Sequence, residues 1–248
     1  MRLVPLAHAD SSDDLSNRAE RVIIGAIGLV LPVALILLAA WRPEHPEERW
    51  KLLESISAYY YTGATAAFVG TLGSLALFLF AYQGYHNRWH ALDIRAARLA
   101  GAAAIGVAFF PTEAPAGYHA AVWWSPWIGI VHYTSATVLF SSFAFFALYL
   151  FRRTDPADPS RANRSRDKER RDAVYLVCGL AIAASIVWIA VIALFNHRNA
   201  GGVHDRPIFW QECSALFFFS LSWLVKGRAP DVVWRLIKPT HAAPATSG

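Results

Sequence analysis

Long apolar blocks decide the class of this chain before any motif is sought. An α-helix rises about 1.5 Å per residue and the hydrocarbon of a bilayer is about 30 Å thick, so one crossing needs about 20 consecutive apolar residues. Six blocks of that order occur in the 248 residues: Val22 to Trp41, Ile56 to Tyr82, Ala96 to Pro111, Trp127 to Phe151, Ala173 to Phe195 and Ile208 to Val225. Charged residues make up 17% of the chain, against roughly 25% in a soluble domain. No segment shows the alternation over about 10 residues that marks a membrane strand. The expected fold is all-α: a six-helix transmembrane bundle over residues 22–226, between an amino-terminal segment (1–21) and a tail (227–248).

Charge sets the orientation, because Lys and Arg resist translocation. Eighteen of the 23 lie at the amino terminus, in the second and fourth connections, and at the carboxyl terminus. The other connections hold Arg42, Arg49, Lys51, Arg198 and Arg206. Both termini are therefore expected in the cytoplasm, with the chain multi-pass in a bacterial cytoplasmic membrane. The apolar run after Arg21 exceeds a signal-peptide core, so the first span reads as uncleaved. Trp123, Trp124 and Trp127 mark the outer interface. The net charge of +5 sits at helix ends and forms no stripe for nucleic acid. The expected partners are membrane lipids, a lipid or small-molecule ligand, and a second copy of the chain.

Small residues at helix-packing spacing let backbones approach in lipid. Ala97 with Gly101, Ala102 with Gly106 and Ala66 with Gly70 follow that spacing, and they make the third span the expected centre of the bundle. Cys178 falls near the inner end of span five and Cys213 near the outer end of span six. About 14 Å of membrane depth separates them, too far for a disulfide.

Sorting ionisable residues by depth brings out a candidate site. Glu54 opens span two, Glu113 follows span three, His132 lies about 7 Å into span four and Glu212 about 6 Å into span six, all at the outer face. Charge at membrane depth costs several kcal/mol unless paired or hydrated, so such groups face a bundle interior or a wet cavity. Ser57 and Tyr61, at i+3 and i+7, fall on the same helix face as Glu54, and Ser135 lies one turn below His132, so they add hydroxyls to the same cavity. Three readings fit these residues: a polar plug with His132 on a carboxylate, a ligand or ion site, and a hydrolytic site. His86 and His90 have i, i+4 spacing but flank a basic cytoplasmic turn, where interfacial polarity is the simpler account. No cofactor is expected. Zinc remains an alternative on His132, Glu54 and Glu212, since three protein ligands are the usual minimum for a catalytic site.

Ile56, Ser57, Tyr59 and Tyr60, with Phe110, Pro111 and Thr112 and with Ile130, Val131 and His132, resemble uncharacterised bacterial six-span membrane proteins that are distantly similar to the DRAM-like proteins of eukaryotes. The resemblance covers roughly residues 55 to 226 and implies the six-span fold, with no established activity. The chain is more distantly similar to the alkaline ceramidase and progestin-receptor-like hydrolases, which hold zinc with three histidines, an aspartate and a serine. It lacks their in-membrane HxxxH pair. The expected function is recognition of a lipid headgroup or small ligand in an extracytoplasmic-facing polar cavity. A membrane lipid hydrolase, zinc-dependent or not, is the alternative, and a proton- or ion-coupled carrier the second; whether the chain is an enzyme stays open.

Overall fold

A computed structural model describes residues 9–43, 49–84, 88–153, 166–198 and 207–230. Within them the structure is all helical: α1 (Ala9–Trp41), α2 (Thr65–Ala81), α3 (His90–Phe109), α4 (Pro126–Phe145), α5 (Arg166–Arg198) and α6 (Pro207–Lys226), with a 3₁₀ turn at Ser57–Tyr61 and a π-helical turn at Phe146–Leu150. Four helical stretches are long and apolar enough to cross a membrane: Ser16–Trp41, Pro126–Leu150, Lys168–Leu194 and Ile208–Lys226. These are the helices of a membrane protein. α2 is shorter at 17 residues, about 26 Å. α3 carries Asp93, Arg95 and Arg98 in its first half.

Each helix packs against its neighbours in sequence and α1 closes on α6, so the six form a ring. α3 is one member of that ring, in contact with α2 and α4, and not the centre that its small residues suggest. The reason is visible at its glycines. A β-carbon on Gly101 would sit 3.2 Å from the Ala76 carbonyl of α2, and one on Gly106 would lie 2.8 Å from Ser135 Cβ of α4. The small residues allow close approach to two flanking helices. Gly70, by contrast, faces outward, and a β-carbon there would have nothing within 4 Å, so Ala66 and Gly70 make no packing seam.

The axis of the ring is filled unevenly. Toward the end that carries the α6 carboxyl terminus, Trp223 meets Tyr82, Phe146 and Phe151 with ring centroids 5.1–5.3 Å apart. Phe143 and Phe219 stack across the bundle at 3.7 Å. Outward-facing apolar side chains occur on every helix, including Leu77 on α2, Leu99 and Phe109 on α3 and Phe217 on α6. With no water to drive them together in lipid, such helices hold through van der Waals fit and interhelical hydrogen bonds.

The apolar block Ile56 to Tyr82 is not one helix. It breaks at Thr62, whose backbone is extended at φ −117°, ψ 176°. Short polar side chains compete there for backbone groups. Ser55 Oγ accepts from Ala58 N at 3.1 Å, Thr62 Oγ accepts from Ala64 N at 3.1 Å, and Thr65 Oγ donates to the Thr62 carbonyl at 2.7 Å. Residues 54–62 thus form a separate cap, and the shared helical face expected for Glu54, Ser57 and Tyr61 does not exist.

Candidate functional site

The cap closes one end of the ring, beside the first turn of α6, through four bonds to four different places. The Glu54 carbonyl accepts from Phe209 N at 2.9 Å, which satisfies one of the unpaired amides in that first turn. Ile56 N donates to Glu212 Oε2 at 2.5 Å. Ser57 bonds His132 Nε2 on α4 at 2.9 Å. Tyr61 Oη donates to the Thr112 carbonyl, beyond α3, at 2.5 Å.

His132 is 2% exposed, and its protonation pattern follows from its partners. Nδ1 lies 2.6 Å from the Phe110 carbonyl, which can only accept, so Nδ1 carries the hydrogen. In the neutral imidazole Nε2 is then a lone pair, and it accepts from the Ser57 hydroxyl. Phe110 ends α3, and its carbonyl has no partner further along the helix. His132 therefore ties the end of α3 to the cap. Trp124 Nε1 supports the same corner with a 3.2 Å bond to the Pro111 carbonyl.

Beneath the cap lies a cavity of about 40 Å³. Its walls come from α1 (Ile27, Gly28, Leu31), α2, α3, α4 and α6, and the Phe143 ring that stacks on Phe219 is part of its lining. Ser57, Thr71 and Glu212 are the polar side chains on a lining otherwise apolar. A single water needs roughly 10–15 Å³ measured this way, so two or three waters or one small functional group fill it. The expected polar cavity is thus apolar for most of its depth and polar at its capped end.

The candidate residues separate into four groups. Ser57 and Glu212 reach the cavity. His132 stands behind Ser57, and it has no hydrogen bond to Glu212; adjacent cap residues, Ile56 and Ser57, hold the two instead. Glu54 and Glu113 are exposed at the surface, although Glu54, Glu113 and Glu212 all lie within electrostatic reach of the Tyr133 hydroxyl. Ser135 belongs elsewhere, packed on Gly106. Among the described residues no three His, Cys, Asp or Glu side chains gather as a metal site, and both His132 nitrogens are engaged by Ser57 and Phe110. His86 lies outside the described residues.

Three partners were missed in the sequence: Thr71, and the backbone groups of Ile56 and Phe110. Thr71 sits in an apolar helix, where a lone threonine gives no signal, and backbone groups give none anywhere. A second polar group closes the opposite end of the ring. Arg21 and Asp93 are 2% and 4% exposed. Arg21 Nη2 reaches the Gly84 carbonyl at 3.4 Å, and Lys226 Nζ donates to the Phe151 carbonyl at 2.9 Å. Arg21, Asp93, Arg171 and Asp172 all act electrostatically on Lys226. Gly84 is left-handed at φ +68°, and a β-carbon there would lie 2.9 Å from Asp93 Cβ, so only glycine lets this turn close over Asp93.

No protein-family model, curated protein or solved structure matches the chain.

Proposed function

We propose that this protein is a six-span membrane protein with both termini in the cytoplasm, and that its axial cavity binds a small ligand or lipid headgroup from the extracytoplasmic side. One observation carries the reading: Glu212 and Ser57, brought together by adjacent residues of one cap, form the polar end of an otherwise apolar cavity. An apolar cavity with a few convergent polar groups is the usual composition of a small-molecule site. Six spans are favoured by the apolar side chains that α2 and α3 also turn outward, and the orientation by the Lys and Arg asymmetry. The cavity's small volume means that only a small group enters, with the remainder of the ligand outside it.

The test is native mass spectrometry with lipid extraction on protein purified in mild detergent, comparing the wild type with Ala136→Phe, which fills the cavity wall. A bound molecule lost in the variant is the expected result. An identical complement of bound molecules in both proteins would remove the cavity from consideration.

The Ser57 to His132 bond supports a second reading, a membrane hydrolase. A hydroxyl 2.9 Å from an imidazole whose other nitrogen is fixed by a third group has the layout of an activated nucleophile. Ser57 Oγ would attack an acyl carbonyl as its proton passes to Nε2, and His132 would return that proton to the departing alcohol. Labelling by a fluorophosphonate probe, lost in Ser57→Ala and in His132→Asn, is what this reading requires. Absence of labelling in native membranes would exclude it.

A further inference from the structure

We propose that the group received by the cavity is a primary ammonium, recognised because Glu212 and Ser57, the polar side chains at its capped end, both present acceptors to it. The inference rests on the cavity being the ligand site, and it follows from the hydrogen-bond directions.

Glu212 is acceptor-only as a carboxylate, and one oxygen is already taken by Ile56 N. The other keeps its lone pairs. Among the described residues no cationic side chain forms an ion pair with it, so a cation entering the cavity would supply the missing partner. Ser57 would ordinarily be ambiguous, since a hydroxyl both donates and accepts. Here the chain of bonds removes the ambiguity. With a neutral imidazole, the Phe110 carbonyl takes the hydrogen of Nδ1, Nε2 takes the hydrogen of Ser57, and the Ser57 oxygen keeps only lone pairs for the cavity. His132 thus acts as a positioning residue that converts Ser57 into an acceptor.

Gly28 lines the cavity, and the residue four positions on is Pro32. Proline has no N–H, so the Gly28 carbonyl lacks its helical donor. Such a set repels anions, and only the Thr71 hydroxyl on the α2 wall is left to donate to a carbonyl or phosphate ligand. The set suits a group with several N–H donors and a positive charge, small enough for about 40 Å³ and carried on an apolar or short polar stem.

A primary ammonium can come from a free amine or from an ethanolamine lipid headgroup, and the two can be told apart. The experiment measures thermal unfolding of the full chain in detergent against ethanolamine and choline, and in nanodiscs of phosphatidylethanolamine and phosphatidylcholine. Choline keeps the charge but has no N–H. Stabilisation by ethanolamine and not choline is expected if free amines are the ligand. Stabilisation only in phosphatidylethanolamine nanodiscs assigns the lipid headgroup.

Glu212→Gln keeps an acceptor for Ile56 N and should remain folded while losing the effect. Ser57→Ala should weaken it roughly tenfold or more, as for a hydrogen bond to a charged group. Equal responses to choline and ethanolamine, or an unchanged response in Glu212→Gln, would overturn the ammonium assignment. A neutral molecule that co-purifies and is lost in Ala136→Phe would overturn it too, while leaving the cavity as the binding site.

Discussion

Removing the His132 side chain probes the cap most directly, because two bonds from two helices meet on one ring. His132→Ala strands the Phe110 carbonyl and frees the Ser57 hydroxyl to rotate. In water a buried group left unsatisfied costs about 1–3 kcal/mol. Between membrane helices the measured worth of such bonds is smaller, about 0.6 kcal/mol on average and about 1.7 at most, since the unfolded chain in the bilayer also finds partners. Two bonds therefore set the loss at about 1–3 kcal/mol. Ser57→Ala removes one of them and should cost about 0.6 kcal/mol. His132→Asn places an amide donor near the Nδ1 position and should recover roughly half of the His132→Ala loss. Unfolding in mixed micelles, titrated with a denaturing detergent and followed by circular dichroism, gives the four corners of the Ser57/His132 cycle. A coupling of about 0.6 kcal/mol is expected. Single effects that simply add, within the roughly 0.3–0.5 kcal/mol scatter of independent sites, would refute the bond as a stabilising contact, and His132→Asn as harmful as His132→Ala would refute the role given to Phe110.

Other outcomes follow from the same geometry. Gly106→Leu should destabilise the protein by more than about 1 kcal/mol, on the order of an overpacked core site, because its side chain meets Ser135, whereas Gly70→Leu should be neutral in detergent unfolding. Glu212→Leu, which leaves Ile56 N without its acceptor, should cost about 1–3 kcal/mol while Glu212→Gln stays near wild type in the same assay. Cys178 and Cys213 are free thiols in the structure, and non-reducing mass spectrometry should find both alkylatable; a bridge between them would mean that α5 or α6 is misplaced. Cysteines introduced at Ala157 and Ala245 should resist an impermeant thiol reagent in intact cells and one at Ala116 should react, and labelling at Ala157 would invert the proposed topology.

Apolar block length and position made six helices legible from the residues alone, since a span's length is set by the thickness of hydrocarbon it crosses and not by its neighbours. α4 with its π turn and α6 follow those blocks closely, whereas α1 and α5 start before them, at Ala9 and Arg166. Depth along a helix is a matter of counting, and Glu54, Glu113 and Glu212 all act electrostatically on Tyr133. What depth could not supply was azimuth. Glu212 reaches the cavity whereas Glu54 and Glu113 stay at the surface, and that depends on how each helix is rotated in the ring. The break at Thr62 was hidden because Ile56 to Tyr82 is apolar enough to span, and only local side-chain competition for the backbone ends the cap. Asp93 falls in a connection by apolar block and is instead buried at the opposite end with Arg21. Above all, the partners of His132 and Glu212 are backbone groups, a carbonyl at the end of α3 and an amide in the cap. Every residue carries a carbonyl and nearly every one an amide, so composition and spacing are silent about them, and only the closure of the ring decides which carbonyl and which amide come within reach.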